Sequence, residues 1–168
     1  MVKKFSKVRC FVLDSFDMKI INQLMSNSRI KWADLASHIG LSAPATADRV
    51  NRLMEQGVIK DFGVIVDAES VGCDLTAFVA VSLERPEHRT PFLNLIHTLY
   101  EVQECHHIAG EDDYLLKIRC RNTKDLDRVI SQEIKSLRGI IRTKTTIVMD
   151  TVKETYQLKL QQDKFSIE

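Results

Sequence analysis

The chain has 168 residues, of which 44% are apolar and 28% charged, a balance typical of a globular protein with room for one large or two small cores. No apolar run approaches the roughly 18 residues of a membrane-spanning helix, which excludes a membrane protein built on such helices. The net charge is +1, but residues 1–60 carry 10 Lys and Arg against 5 Asp and Glu while residues 61–168 carry 14 against 18, so only the first part suits an anionic partner.

The first dozen residues are basic and show neither a helical nor a strand period. This composition favours a terminal tail, with an arm lying along DNA phosphates as the alternative. Asp14 or Ser15 then provides the N-cap of a first helix that extends to about Asn27. We expect this helix to pack on its neighbours through its apolar residues, Leu13, Ile20, Ile21 and Leu24.

Two short helices joined by a tight turn are predicted within residues 29–59. Gly40 ends the first of them, because glycine most easily adopts the left-handed conformation of a helix C-terminus. Lys31 and Trp32 stand at its start, and we expect the Trp32 ring to be packed rather than stacked on bases. Its buried residues recur at helical spacing: Leu35, Ala36 and Ile39.

The second helix of the pair begins after Ser42, a suitable N-cap, has Pro44 in its first turn and ends at Gly57. One face is predicted to be buried, through Ala47, Val50, Leu53 and Met54. The opposite face carries small and basic residues that suit close approach to a DNA duplex: Ser42, Ala45, Thr46, Arg49 and Arg52.

We therefore predict that this second helix enters the major groove of DNA. Arg49 and Thr46 are expected to contact base edges or adjacent phosphates, and Lys31 and Arg52 to contact phosphates. Two such helices related by a dimer axis would contact half-sites about one DNA turn apart. The alternative is an ordinary helical hairpin with a solvated basic face, since amphipathic pairs of this length are common.

Residues 59–66 are rich in β-branched side chains and are predicted to form a strand, and residues 67–74 connect it to a second part. That part alternates between strand and helix patterns. Strands are predicted at residues 76–84, 102–110, 114–121 and 140–150, and helices at residues 90–100 and before Gly139. The order β-α-β-β-α-β predicts a ferredoxin-like fold, an antiparallel sheet with both helices on one face and the other face available for oligomerisation.

The helix pair matches a long pattern in fixed register, with Arg29, Asp34, Leu35, Ala36, Gly40, Leu41, Ser42, Arg49, Val50, Leu53, Gly57 and Ile59 in place. Through these residues the chain resembles the Lrp/AsnC family, the leucine-responsive and asparagine-responsive regulators. A second family signature, G-[ED]-x-D-Y-L-L, matches the stretch from Gly110 to Leu116. The resemblance therefore extends from about Leu13 to Leu158.

The resemblance implies that the second part senses a small effector, usually an amino acid, bound between subunits near this signature. The implied effector-binding residues are Ala109, Gly110, Glu111 and Asp113. Backbone N–H groups around a glycine can hold a carboxylate, and an aspartate can pair with an ammonium group. Alternatively, Gly110 and Asp113 only form the hairpin turn. Ala109 departs from the Ser or Thr that often precedes this glycine in the family.

Neither a metal site nor a catalytic site is predicted. Cys105, His106 and His107 are adjacent, but in a strand only Cys105 and His107 share a face, and no further ligand is suitably spaced. No nucleophile elbow, P-loop or dinucleotide-binding motif occurs. The four cysteines form no C-x-x-C pair, and the N-terminus has no signal-peptide apolar region, so we expect reduced thiols in a cytoplasmic protein.

The sequence thus predicts an α+β protein with an N-terminal three-helix helix-turn-helix domain (1–60), a connecting strand and linker (61–74), a ferredoxin-like effector-sensing and oligomerisation domain (75–158) and a C-terminal tail (159–168). Its expected function is sequence-specific transcription regulation as a homodimer or larger homo-oligomer, with double-stranded DNA and an amino-acid effector as partners, no other cofactor and no enzymatic activity. The alternative is a metabolite-binding module or small enzyme on the second domain, with the helices used for dimerisation.

Overall fold

The computed structural model describes residues 12–160 of the chain. The predicted basic arm or tail at residues 1–11 and the last part of the C-terminal tail lie outside the described residues. The described residues form two compact units, one made of residues 12–64 together with residues 155–160, the other of Ile65–Glu154.

The first unit contains three helices, α1 (Ser15–Ser26), α2 (Trp32–Ile39) and α3 (Ala43–Glu55). Asp14 and Asp17 form a reciprocal capping box at the start of α1, each carboxylate accepting the backbone N–H of the other residue. The three helices enclose a single apolar core, in which no side chain is more than 7% exposed. Its members are Ile20, Leu24, Leu35, Ile39, Val50 and Leu53.

The turn between α2 and α3 has the predicted chemistry. Gly40 adopts the left-handed conformation with φ of 78°, and its N–H donates to the carbonyl oxygen of Ala36. The hydroxyl of Ser42 then accepts the backbone N–H of Ala45 at 3.4 Å, and Pro44 lies in the first turn of α3. The turn therefore fixes the angle at which α3 leaves α2.

Residues 59–66 do not form the predicted strand. Their backbone pairs with no other strand in the described chain, and Val64 and Ile65 are more than 80% exposed. β-branched composition favours an extended backbone, but a strand also requires a neighbour to accept its hydrogen bonds. Residues 151–158 likewise pair with no strand of the described chain. A short 3₁₀ turn, Glu69–Val71, precedes the sheet of the second unit.

The second unit is built on four strands, β1 (Leu75–Leu83), β2 (Val102–His107), β3 (Tyr114–Cys120) and β4 (Ile140–Ile147). They form one sheet in the order β2-β3-β1-β4, and every neighbouring pair is antiparallel. β1 is central, pairing with β3 on one side and with β4 on the other. The predicted ferredoxin-like arrangement is confirmed.

Two helical segments cover one face of this sheet. α4 (Arg89–Ile96) follows β1, and α5 (Thr123–Asp127) continues directly into a π-helical segment, Arg128–Ile134. Their apolar side chains share one core with alternate residues of the strands. The core includes Ala77, Val79, Val81, Phe92, Ile96, Leu116, Ile118, Val129, Ile130 and Ile134. Within residues 12–160 no helix has the length and apolarity needed to cross a membrane.

The other face of the sheet carries a buried ion pair cluster. The Lys117 side chain is 11% exposed, and its ammonium group lies 3.4 Å from a carboxylate oxygen of Glu104 and also contacts Glu154. Arg119 donates to the second carboxylate oxygen of Glu154 at 2.5 Å. These contacts hold the chain after β4 against the centre of the sheet, because a buried charge requires a partner.

Gly139 is the glycine whose replacement should be most damaging. Its φ is 93°, and a Cβ atom there would lie 2.1 Å from Cγ of the His88 ring. We expect Gly139→Ala to lower the free energy of unfolding by about 2–4 kcal/mol through backbone strain and overpacking. Urea denaturation followed by circular dichroism measures the change. Gly110→Ala is the matched control in the same unit, since a Cβ there meets no atom within 4 Å. Equal stability of the two variants would contradict the prediction.

Candidate nucleic-acid interface and ligand cleft

The residues predicted to face DNA from α3 differ in their exposure. Ser42 is exposed at the start of the helix and Ala45 is half-buried. Thr46, however, is fully buried, and its hydroxyl donates to the carbonyl oxygen of Ser42 at 3.0 Å. The prediction that Thr46 lies on the DNA-facing surface is therefore wrong. Thr46 lies four residues before Val50 and seven before Leu53, which places it on the buried stripe of the helix.

The two arginines of α3 point towards the start of α1. Nη1 of Arg49 donates to Oδ2 of Asp14 at 2.6 Å and to Oδ1 of Asp17 at 2.9 Å. Nη2 of Arg52 donates to both carboxylate oxygens of Asp17, at 2.8 and 2.9 Å. The Arg49 and Arg52 side chains remain 24% and 46% exposed. Both arginines thus lie at the edge of the α3 surface with part of each guanidinium already bonded within the protein.

These contacts perturb the ionisation of two members of the cluster. Burial alone would raise the pKa of the Asp14 carboxyl, but its hydrogen bonds with the Asp17 N–H and the Arg49 guanidinium outweigh this effect, so the pKa of Asp14 is lowered. The hydrogen bond with Asp14 raises the pKa of Arg49. Asp14 and Arg49 therefore form a charged pair at neutral pH.

The outermost line of α3 consists of residues that the sequence interpretation did not select. They are exposed and recur at helical spacing opposite Val50 and Leu53: Pro44, Asp48, Asn51 and Glu55. Among them, the carboxamide of Asn51 is the group best suited to read a base edge, since an Asn can bond adenine through both its oxygen and its nitrogen. These four exposed positions could have been predicted from the sequence, because they lie opposite the buried Val50 and Leu53 on the helix.

The start of α2 is a second exposed part of the first unit. Lys31 is exposed, and no side chain caps the N-terminal N–H groups of the helix there. Trp32 is 45% exposed, so the expectation that its ring is packed is wrong. Trp32 is the first residue of α2 and lies about one turn before the buried Leu35 and Ala36, at the edge of the core of the unit.

The predicted effector residues form the hairpin between β2 and β3. Ala109, Gly110 and Glu111 are exposed. The Asp113 carboxylate accepts the backbone N–H of Leu83 at 2.7 Å, and the Asp113 N–H donates to a carbonyl oxygen of β1 at 3.0 Å. Asp113 therefore joins the hairpin to the end of β1.

A cleft of about 330 Å³ opens beside this hairpin. Its lining mixes charged and aromatic groups from the end of β1, the start of α4 and the facing ends of β2 and β3. The lining residues are Leu83, Glu84, Arg85, Pro86, Arg89, His107, Asp113 and Tyr114. The sequence interpretation missed all of them except Asp113. Arg85 and Arg89 lie four residues apart, on either side of the short turn that enters α4. This pair of arginines is the sequence feature that could have indicated an anion-binding site here.

Tyr114 gives this cleft a specific chemical character. Its side chain is buried and packs on Phe92 and His107, with ring centroids 4.8 and 5.1 Å apart. Its hydroxyl has no hydrogen-bond partner among residues 12–160. Burial raises the pKa of the Tyr114 phenol, so the hydroxyl keeps its proton at neutral pH. A buried, unpaired O–H is unfavourable unless something donates to it or accepts from it.

A larger cleft of about 500 Å³ lies on the opposite face of the sheet. Carboxylates line much of it, and Arg119 reaches it while remaining paired with Glu154. In the described part of the chain, no three His, Cys, Asp or Glu side chains come together as metal ligands. His106 pairs with Glu104 at 2.9 Å.

Comparison with known proteins assigns both units. Residues 13–60 match the family described as winged helix-turn-helix DNA-binding, and residues 76–158 match the Lrp/AsnC ligand binding domain. The leucine-responsive regulatory protein of Haemophilus influenzae is 36% identical over 162 residues, 95% of this chain and 98% of the relative.

Solved structures agree. A transcriptional regulator of Neisseria meningitidis in complex with L-methionine has a TM-score of 0.81 at 26% identity, covering 88% of this chain and 96% of that one. A feast or famine regulatory protein of M. tuberculosis, also with L-methionine, has a TM-score of 0.80 at 29% identity, covering 87% and 98%.

The contact between Asp113 and Leu83 predicts a stability effect. Asp113→Ala should lower the free energy of unfolding by about 1–3 kcal/mol, because the N–H of Leu83 loses its acceptor. Asp113→Asn keeps an acceptor oxygen and should lose less. Urea denaturation of both variants tests this, and an alanine variant as stable as the parent would show that the hydrogen bond does not secure the hairpin.

Proposed function

The chain belongs to the Lrp/AsnC family of transcription regulators, and from this membership we propose which of its residues bind DNA and which bind the effector. It is a DNA-binding regulator with a helix-turn-helix domain and a ligand-binding domain. We propose that its effector is an amino acid, as in the similar structures with L-methionine, and that it works as a homo-oligomer. We assign residues 1–60 to DNA binding, 61–74 to the connection and 75–158 to effector sensing and oligomerisation.

We propose that α3 enters the major groove with its exposed outer side against the bases. Ser42 and Ala45 allow close approach, and Asn51 joins the predicted residues as a candidate for base contact. Lys31 is placed to meet a phosphate at the uncapped start of α2. The guanidinium groups of Arg49 and Arg52, held at the edge of α3, would contact the phosphates beside the groove rather than the bases on its floor. The observation that carries this assignment is the outward line of α3 flanked by two arginines.

Substitutions on this surface should separate positioning contacts from base contacts. Lys31→Ala and Arg52→Ala should weaken operator and non-specific DNA alike and reduce the salt dependence, because each removes a phosphate contact. Arg49→Ala should do the same, whereas a loss confined to the operator, about 1–3 kcal/mol, would assign it to a base. Mobility shifts with DNA from upstream of the protein's own gene, at two salt concentrations, measure both effects.

The matched control for these variants is Lys135→Ala, which removes an exposed positive charge from the second unit. Its DNA affinity should equal that of the parent. Trp32, the single tryptophan of the chain, supplies an independent fluorescence signal because it is exposed beside Lys31. Unchanged binding by all three arginine and lysine variants would remove this surface from the DNA interface.

We propose that the effector binds in the cleft beside the β2–β3 hairpin. The effector carboxylate would pair with Arg85, its ammonium group with Glu84 or Asp113, and a polar atom of the ligand would bond the Tyr114 hydroxyl. The exposed hairpin residues Ala109, Gly110 and Glu111 border the hairpin side of this site and are available to a neighbouring subunit. Binding would change DNA affinity by favouring one assembly over another, which requires different effector affinities in the two assemblies.

Tyr114→Phe is the most informative test of the effector site. Removing an unpaired buried hydroxyl should leave the stability of the free protein unchanged or raise it by about 1 kcal/mol, while effector affinity falls about tenfold. Arg85→Ala should weaken effector binding without loss of stability, since the Arg85 side chain is 66% exposed. Isothermal titration calorimetry with a panel of amino acids, beginning with L-methionine, measures the affinity. Effector affinity that is unchanged in both variants would exclude this cleft.

We further propose that the protein acts in the cytoplasm, where its DNA lies, and that its role is regulatory rather than catalytic. The relatives that it matches along its length are named as regulators, which supports both assignments.

A further inference from the structure

A single buried carboxylate connects the start of α1 to both arginines of α3. The Asp17 side chain is 2% exposed. Its Oδ1 accepts from Arg49 and Arg52, and its Oδ2 accepts from Arg52 and from the backbone N–H of Asp14. Asp17 therefore takes part in the helix cap and in two ion pairs at the same time.

The burial of Asp17 determines how these arginines can behave near DNA. A buried carboxylate that loses its cationic partners is strongly unfavourable, so neither arginine is free to leave Asp17 for a phosphate. A guanidinium group, however, carries five N–H donors in a rigid fork. The described bonds of Arg49 use Nη1 and those of Arg52 use Nη2, and both side chains are partly exposed.

Phe16 restricts Arg49 further. The Arg49 guanidinium carbon lies 5.3 Å from the centre of the Phe16 ring, in the range of a cation–π contact. Together with the bonds to Asp14 and Asp17, this contact fixes the plane of the guanidinium. Arg49 therefore enters any complex with its rotamer already selected, which avoids the loss of rotamer freedom that a solvated arginine undergoes on binding.

We propose that Asp17 is a positioning residue for DNA binding: it holds Arg49 and Arg52 so that their remaining N–H groups donate to phosphates beside α3. The inference rests on the proposed DNA contacts of these two arginines. Asp17 itself, being buried, does not touch DNA. Asp14 supports only Arg49 and is 46% exposed, so its contribution is smaller.

Substitutions at Asp17 and Arg52 test this inference through their coupling. Asp17→Asn keeps the size of the side chain and an acceptor oxygen but removes the charge, and we expect operator affinity to fall about tenfold. Because Asp17 acts through the arginines, Asp17→Asn combined with Arg52→Ala should weaken binding by much less than the product of the two single losses. Mobility shifts on operator DNA give each affinity, at a temperature where circular dichroism shows every variant folded.

Two further variants separate positioning from simple structural support. Arg52→Lys keeps the charge but cannot bond both oxygens of Asp17 through a planar fork. If Asp17 positions Arg52, this variant should bind DNA more weakly than the parent; if only the charge of Arg52 matters, it should bind equally well. Asp14→Asn is the matched control: it removes an equal charge from the same cap but does not contact Arg52, so its loss should multiply with that of Arg52→Ala.

The outcomes distinguish this inference from the assignment on which it rests. Unchanged DNA affinity in Arg49→Ala and Arg52→Ala would remove the arginines from the interface. If those variants bind weakly while Asp17→Asn binds as the parent does, or binds more tightly, the arginines contact DNA without being positioned by Asp17. Two other results would also overturn the proposal. One is a combined variant of Asp17→Asn and Arg52→Ala whose loss of DNA affinity equals the product of the two single losses, and the other is an Arg52→Lys variant that binds DNA as tightly as the parent.

Discussion

The requirement that a buried charge be paired shapes both units of this protein. Asp17 is nearly inaccessible to water, and two arginines from another helix compensate it. In the second unit the same requirement holds Glu154 against Lys117 and Arg119 on the face of the sheet. Each cluster joins segments that are distant in sequence. Hydrophobic packing stabilises helices and strands on one another, but these ion pairs specify which side chains remain available at the surface.

Local patterns were sufficient to predict most of the fold. Helical spacing and capping residues gave α1, α2 and α3 within a residue or two, because these signals act over a single turn. Alternation of apolar residues along the strands predicted the order of strands and helices in the second unit. The correct antiparallel topology of the sheet followed from that order. The errors lie where a partner decides the structure. Residues 59–66 have strand composition but no neighbouring strand within the described chain, and the π-helical turn after α5 depends on how Val129, Ile130 and Ile134 fill the core.

The sites were harder to predict than the fold, because surface chemistry depends on contacts across helices. The sequence placed Arg49 and Arg52 on the outer side of α3, but nothing in their spacing reveals that Asp17 lies within hydrogen-bond distance. Thr46 was misplaced because a threonine is polar by type, although its hydroxyl can bond the preceding turn and be buried. The ligand cleft combines residues from four elements, so no short motif could identify it.

The two units differ in how completely their polar groups are satisfied, and this difference suits their roles. On α3 the two arginines are already paired with Asp14 and Asp17, so their guanidinium groups are held in a fixed geometry. In the cleft, the Tyr114 hydroxyl has no partner in the described chain, so a ligand that bonds it creates an interaction absent from the free protein. An effector can shift an equilibrium between assemblies only through such differential interactions. If the effector binds in this cleft as proposed, the Tyr114 hydroxyl would regulate the protein only if the ligand reaches it better in one assembly than in the other. An unsatisfied buried group on α3 would instead lower stability with no compensating contact.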